Sequence, residues 1–276
     1  MQAWEIREPQ TLKIGEDQPA TVRTVSVSIV GGQVDVVTHG DAAGATLEIH
    51  ELRGRPLQVT WDGNTLKVTH LKAEGENIWE TLKRLGSSAA QDRARLSIAV
   101  PEGVTAKINT VSAQVLASGL TRPAKINTVS GGVTLDHITD SVDVNTVSGT
   151  VELHGLVGAL KANGVSGNIT VHRSRVDPVK LNTVSGDITL DLLSAKTSIS
   201  STAVSGDVLV RVPDSDGFDV QLSSLSGAAI VDGQRIGNPG TRGGGRLSEG
   251  NPTLKIKASS VSGDVVVMRA TQAVEQ

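Results

Sequence analysis

The chain has 276 residues, with 26 Lys and Arg against 29 Asp and Glu, a net charge of −3, no Cys, three Trp and one Phe. Near-balanced charge excludes a nucleic-acid or anionic-membrane partner held by bulk electrostatics, and the missing thiols exclude disulfides and thiolate metal sites. No run of about 20 apolar residues is present to span a bilayer as a helix, and residues 108–210 carry no aromatic on which a sugar or base could stack.

The opening Met1-Gln2-Ala3-Trp4-Glu5-Ile6 is charged and lacks the apolar core of a signal peptide, so a cytoplasmic location is expected. Residues 1–14, with Trp4, Ile6, Leu12 and Ile14, read as strand that covers the first coil of a repeat array. Val30-Gly31-Gly32-Gln33-Val34-Asp35-Val36 is a degenerate copy of a motif that recurs later. Asp62-Gly63-Asn64, between apolar-alternating 57–61 and 65–69, predicts a hairpin. Residues 73–88 change character. Ile78, Trp79, Leu82 and Leu85 follow helical spacing, which predicts a short amphipathic insertion and makes those four side chains candidate contacts for a protein partner or a membrane surface.

From residue 108 the chain repeats. Taking the Val of Val-Ser-Gly as position zero places it at Val111, Val129, Val147, Val165, Val184, Val204, Leu225 and Val261, with gaps of 18, 18, 18, 19, 20, 21 and 36. A period near 18 with aliphatics at positions +4 and +6 suits one coil of a β-solenoid, each turn stacking on the last. The final gap is two periods or one coil with a long insertion. At position −2 stand Asn109, Asn127, Asn145, Asn163 and Asn182, predicted to stack as an amide ladder at the roughly 4.8 Å strand spacing. Ile126 at −3 and Val129 at zero break simple alternation, which places a bend at the Asn. A second bend falls at the Gly and a third in the variable segment such as 136–140.

The fold class is therefore all-β: a single-stranded β-solenoid of about 18–21 residues per coil, triangular and right-handed, with one helical insertion. Residues 1–95 read as an N-terminal β region and cap. Residues 96–270 read as the regular solenoid, broken by a Gly-rich loop at 232–252; the two can also be one continuous domain.

Asn-Thr-Val-Ser-Gly-Asp-Ile-Thr-Leu at 182–190 resembles the DUF4097 "putative adhesin" family of β-strand repeat proteins. The opening Trp4-Glu5-Ile6 with Pro9, and Leu96-Ser97-Ile98-Ala99-Val100-Pro101, are similar to its actinobacterial members. The resemblance covers nearly the whole chain and implies no catalytic residues. The coil length is also similar to that of bactofilins, which polymerise.

Few constellations carry chemistry. At position +7 stand Asp136, His154, His172 and Asp191, candidate metal ligands by type, although ligands stacked on a flat face do not converge easily on one ion. Asp187 and Asp207 at +3 are neighbours, but Asp is favoured at a bend for local reasons. No cofactor and no small-molecule substrate is implied. The expected function is a non-enzymatic structural or interaction protein. It takes a protein partner or a second copy, pairing end-to-end through an open last coil at Asp264–Met268. Alternatives are an adhesin-like surface-binding protein and a carbohydrate-active β-helix enzyme.

Overall fold

The computed structural model describes residues 1–15, 21–40, 44–70, 92–215, 217–236 and 244–270. The expected helical insertion with Ile78, Trp79, Leu82 and Leu85, and part of the Gly-rich loop, lie outside the described residues. All regular elements among the described residues are strands, and they fall into two compact units, 1–140 and 141–276.

The first unit contains β1 (Gln2–Ile6), β2 (Gln10–Ile14), β3 (Thr24–Ile29), β4 (Gly31–His39), β5 (Ala45–Arg53), β6 (Leu57–Trp61), β7 (Thr65–Thr69), β8 (Arg93–Pro101), β9 (Thr105–Thr110), β10 (Gln114–Ser118), β11 (Ala124–Thr128) and β12 (Val133–Asp136). One sheet runs β1-β6-β7-β3-β9-β11 and the other β2-β5-β8-β4-β10-β12. Pairing is parallel from β7 to β11 and from β8 to β12, and antiparallel in the strands outside them. The hairpin expected at Asp62 is present as β6–β7, and the Asp62 carboxylate accepts the backbone N–H groups of Asn64 and Thr65. Those two bonds, led by the one from Thr65, hold its carboxyl below the usual carboxylate range.

The second unit contains β13 (Val142–Thr146), β14 (Val151–His154), β15 (Val157–Asn163), β16 (Ile169–Ser185), β17 (Ile188–Leu192), β18 (Thr197–Ser205), β19 (Val208–Pro213), β20 (Phe218–Ser224), β21 (Ala229–Val231), β22 (Gln234–Arg235), β23 (Gly244–Glu249), β24 (Leu254–Ser262) and β25 (Val265–Ala270). Its sheets run β13-β15-β16-β18-β24-β20-β23 and β14-β16-β17-β19-β25-β21-β22, with β16 long enough to serve both.

Each unit contains a coil that does not stack in chain order. In the first, the coil β3–β4 sits between β7–β8 and β9–β10. In the second, the last coil, β24–β25, sits between β18–β19 and β20–β21. The long gap in the repeat is thus one coil, then the antiparallel strands β22 and β23, then a coil threaded back into the stack. This corrects the expectation of an open last coil: β25 is hydrogen-bonded to β19 on one side and β21 on the other, so Asp264–Met268 offers no free edge.

A second correction concerns the repeat itself. The Val at position zero points outward, with Val165, Val184, Val204, Leu225 and Val261 each 45–49% exposed. The residue before it points in: Thr110, Thr128, Thr146, Thr183, Ser224 and Ser260 are buried beside the aliphatic core. Alternation is therefore unbroken through Ile126-Asn127-Thr128-Val129, and the Asn lies inside a strand rather than at a bend. A buried hydroxyl is tolerable because the corner uses it. Thr128 Oγ1 accepts the Gly131 N–H at 3.1 Å, Thr146 the Gly149 N–H at 2.8 Å, and Ser224 the Gly227 N–H at 2.8 Å. At Gly186 (φ 156°) a Cβ would lie 2.3 Å from the Gly167 carbonyl oxygen of the neighbouring coil, whereas the coil of Val111 carries Ala113 at the same position.

Candidate interaction surface

Because the interior is filled by aliphatic columns, the polar chemistry of the repeat lies on its outer faces. The Asn column forms the ladder its spacing implies. Asn127 Nδ2 donates to Asn109 Oδ1 at 2.8 Å in the first unit. In the second, Asn163 donates to Asn145 at 2.8 Å and Asn182 to Asn163 at 2.9 Å. Past the corner runs another ladder of different form, in which each Asx side chain accepts a backbone N–H from the next coil. Asn168 accepts from Asp187, Asp187 from Asp207, Asp207 from Asp264 and Asp264 from Ala228, at 2.8–3.0 Å. This sequence of partners follows the threaded coil order.

A column that reasoning from the motif missed lies at position −4: Lys161, Lys180 and Lys257 are exposed on the second unit, and Lys107 and Lys125 on the first. The signal was present in the repeat as Lys-x-Asn-x-Val, but it draws attention only once Val is known to face outward.

The candidate metal ligands do not assemble. His154 and His172 are register partners whose rings stack face to face, 5.1 Å between centroids and 19° between planes. The register then shifts between Val171 and Ser174, and the Asp191 carboxylate lies 3.7 Å from Arg211. Asp136 belongs to the first unit, with His137 Nδ1 2.8 Å away. Among the described residues no three His, Cys, Asp or Glu side chains are placed to hold a metal ion.

One buried polar cluster was not foreseen. Asp92, 2% exposed in its side chain, accepts the Arg55 backbone N–H at 2.9 Å and Nε at 2.6 Å, with Arg55 Nη2 at 2.5 Å. His70 is buried nearby, and neither ring nitrogen has a hydrogen-bond partner among the described residues. Burial pushes its pKa down to about 4, against an upward pull from Asp92. The cluster is packed rather than open, since Gly54 lies so close to Asp92 that a Cβ there would meet its carboxylate at 2.2 Å.

Stacked parallel coils, a closed aliphatic interior and outward ladders define a β-solenoid repeat protein. A family model described as Toastrack DUF4097 matches residues 26–268, and the chain belongs to that family. Among solved structures, a "putative lipid binding protein" from Parabacteroides distasonis aligns with a TM-score of 0.52 at 17% identity, covering 94% of this chain and 96% of that one. A "putative adhesin" from the same organism aligns with a TM-score of 0.50 at 13% identity, covering 95% and 97%. No curated protein matches the chain.

Proposed function

We propose that the chain is a non-enzymatic scaffold that binds protein through the sides of its coils. The observation that carries this reading is the outward column set: Lys, Asn and Val recur at fixed positions coil after coil on one flat face. Such a face offers hydrogen-bonding and apolar contact along a line, which suits a partner surface better than a small substrate. A glycan-cleaving site needs an acid and a base converging on one bond. Here Asp187 and Asp207 each commit a carboxylate oxygen to the backbone of the next coil.

Proximity labelling in the cell that makes the protein tests the reading. A defined set of neighbouring proteins is expected, lost when Lys161, Asn163 and Lys180 are changed together to Glu and kept when Arg246 on the end strand is changed to Ala. Labelling indifferent to the columns contradicts it. An adhesin-like, surface-binding role is the second reading, favoured by the name of the Parabacteroides adhesin neighbour. It would use the same columns, and protease shaving of intact cells separates the two.

A further inference from the structure

We infer that the second unit dimerises with a second copy of itself, side by side, through the ridge of outward Val residues. The inference rests on the reading of the coil sides as the interaction surface. The ridge follows the threaded coil order: Val147, Val165, Val184, Val204, Val261 and Leu225, of which the last five are 45–49% exposed. An apolar ridge continuous over this many coils is unusual on a surface that meets only water.

Charge selects the occupant. On one side of the ridge the −4 column reads, in stack order, Asp143, Lys161, Lys180, Ser200, Lys257 and Gln221. On the other side, past the corner, the +3 column reads Thr150, Asn168, Asp187, Asp207, Asp264 and Ala228. The coils that carry Lys180 and Lys257 also carry Asp187 and Asp264. None of those four side chains forms an ion pair among the described residues. Three carboxylates on successive coils, about 4.8 Å apart, repel one another.

A two-fold axis parallel to the stacking direction relieves that repulsion. It sets ridge against ridge and exchanges left for right, so Lys180 of one copy faces Asp187 of the other, and Lys257 faces Asp264. A two-fold axis across the ridge would instead set Lys on Lys. The surface is therefore self-complementary in one orientation, as a symmetric dimer requires. Six coils at about 4.8 Å and a width of about 20 Å between the charged columns enclose roughly 600 Å² per partner. That is below the roughly 800 Å² per side of a standard interface, so dissociation in the micromolar range is expected.

Sedimentation velocity of the full chain from about 1 to 300 µM tests this. Wild type is expected to shift from monomer to dimer, less so in high salt. Val204→Asp, at an exposed position, is expected to raise the dissociation constant at least tenfold without changing the melting temperature. The triple change Asp187→Asn, Asp207→Asn and Asp264→Asn keeps the ladder acceptor, as Asn168 does, and is expected to weaken the dimer. Lys180→Asp combined with Asp187→Lys is expected to dimerise better than either single change. A wild type that stays monomeric throughout, or a dimer indifferent to Val204→Asp, overturns the inference. A monomer whose column variants still lose their labelled neighbours would remove the dimer and leave the scaffold reading standing.

Discussion

In the first unit, the antiparallel strands that cover the outermost parallel coil bury Ile6, Ile14, Leu47, Leu57 and Trp61, and the Arg55–Asp92 pair anchors the chain beside them. In the second unit, the covering strands β22 and β23 are short and mostly exposed. They are held by a bidentate Arg246–Asp219 pair, with Arg269 bridging Asp232 and stacking 4.1 Å over the Phe218 ring. Both ends solve the same problem, a parallel edge with unpaired N–H and C=O groups, by turning the chain antiparallel across it. The difference teaches that edge pairing is the constant requirement and that hydrophobic coverage is optional. The first cap is a piece of core, and the second is a hydrogen-bonded lid with charged fasteners.

That contrast can be broken by substitution. Trp61→Ala removes a large side chain that is 2% exposed and is expected to cost about 3–5 kcal/mol in chemical denaturation. Leu247→Ala on β23, 40% exposed at the start, is expected to cost under about 1 kcal/mol. Comparable losses at the two sites would contradict the distinction. Asp92→Ala strands the Arg55 charge and an N–H at a buried position, and is expected to cost about 3 kcal/mol. Asp219→Ala breaks a solvent-screened surface pair and is expected to leave the denaturation midpoint nearly unmoved.

Acid should act on the first unit. His70 is held neutral by burial, so its folded pKa of about 4 lies below the ordinary 6.5. The unfolded chain takes up the proton first. The stability this group confers is complete above pH 6.5 and falls as pH drops from 6.5 toward 4, by up to about 3 kcal/mol. His70→Leu should flatten that part of the pH–stability curve, and a curve unchanged by the substitution would sink the assignment.

A further pair of substitutions compares the same inward repeat position in each of the two units. Thr128 accepts the Gly131 N–H, and Thr128→Val is expected to cost about 1–2 kcal/mol. Thr183 has a buried hydroxyl with no partner among the described residues. Thr183→Val is expected to be neutral or stabilising in the same thermal melts.

Much of the wall of this solenoid was legible in the sequence. The Asn ladder followed from spacing alone, because in-register coils bring identical positions together whatever their surroundings. The hairpin at Asp62 was legible for the same local reason. Three things were not. The face of the Val-Ser-Gly segment was misjudged because Val is ordinarily the buried member of a Thr-Val pair; at Thr128, Thr146 and Ser224 the corner Gly N–H gives the inward hydroxyl a partner. The coil order was also hidden. Every coil presents the same pattern of edge hydrogen bonds and aliphatics, so nothing in residues 24–39 or 254–270 marks them as threaded between others. The His70–Asp92 cluster escaped because its members are separated by 22 positions in the chain and carry no motif.

The threaded order of the last coil is what closes the second unit, and engineered disulfides test it most directly in a chain with no native Cys. Thr202 and Ser223 are both register partners of Ser259, on opposite sides of β24. Adjacent strands lie about 4.8 Å apart, within reach of a disulfide, whereas strands two apart, at about 10 Å, are not. The account predicts rapid oxidation of Thr202→Cys with Ser259→Cys, and of Ser223→Cys with Ser259→Cys, but none of Thr202→Cys with Ser223→Cys. Crosslinking of the last pair, with Ser259 bonding to Ser223 alone, would mean that the coils stack in chain order and would contradict it.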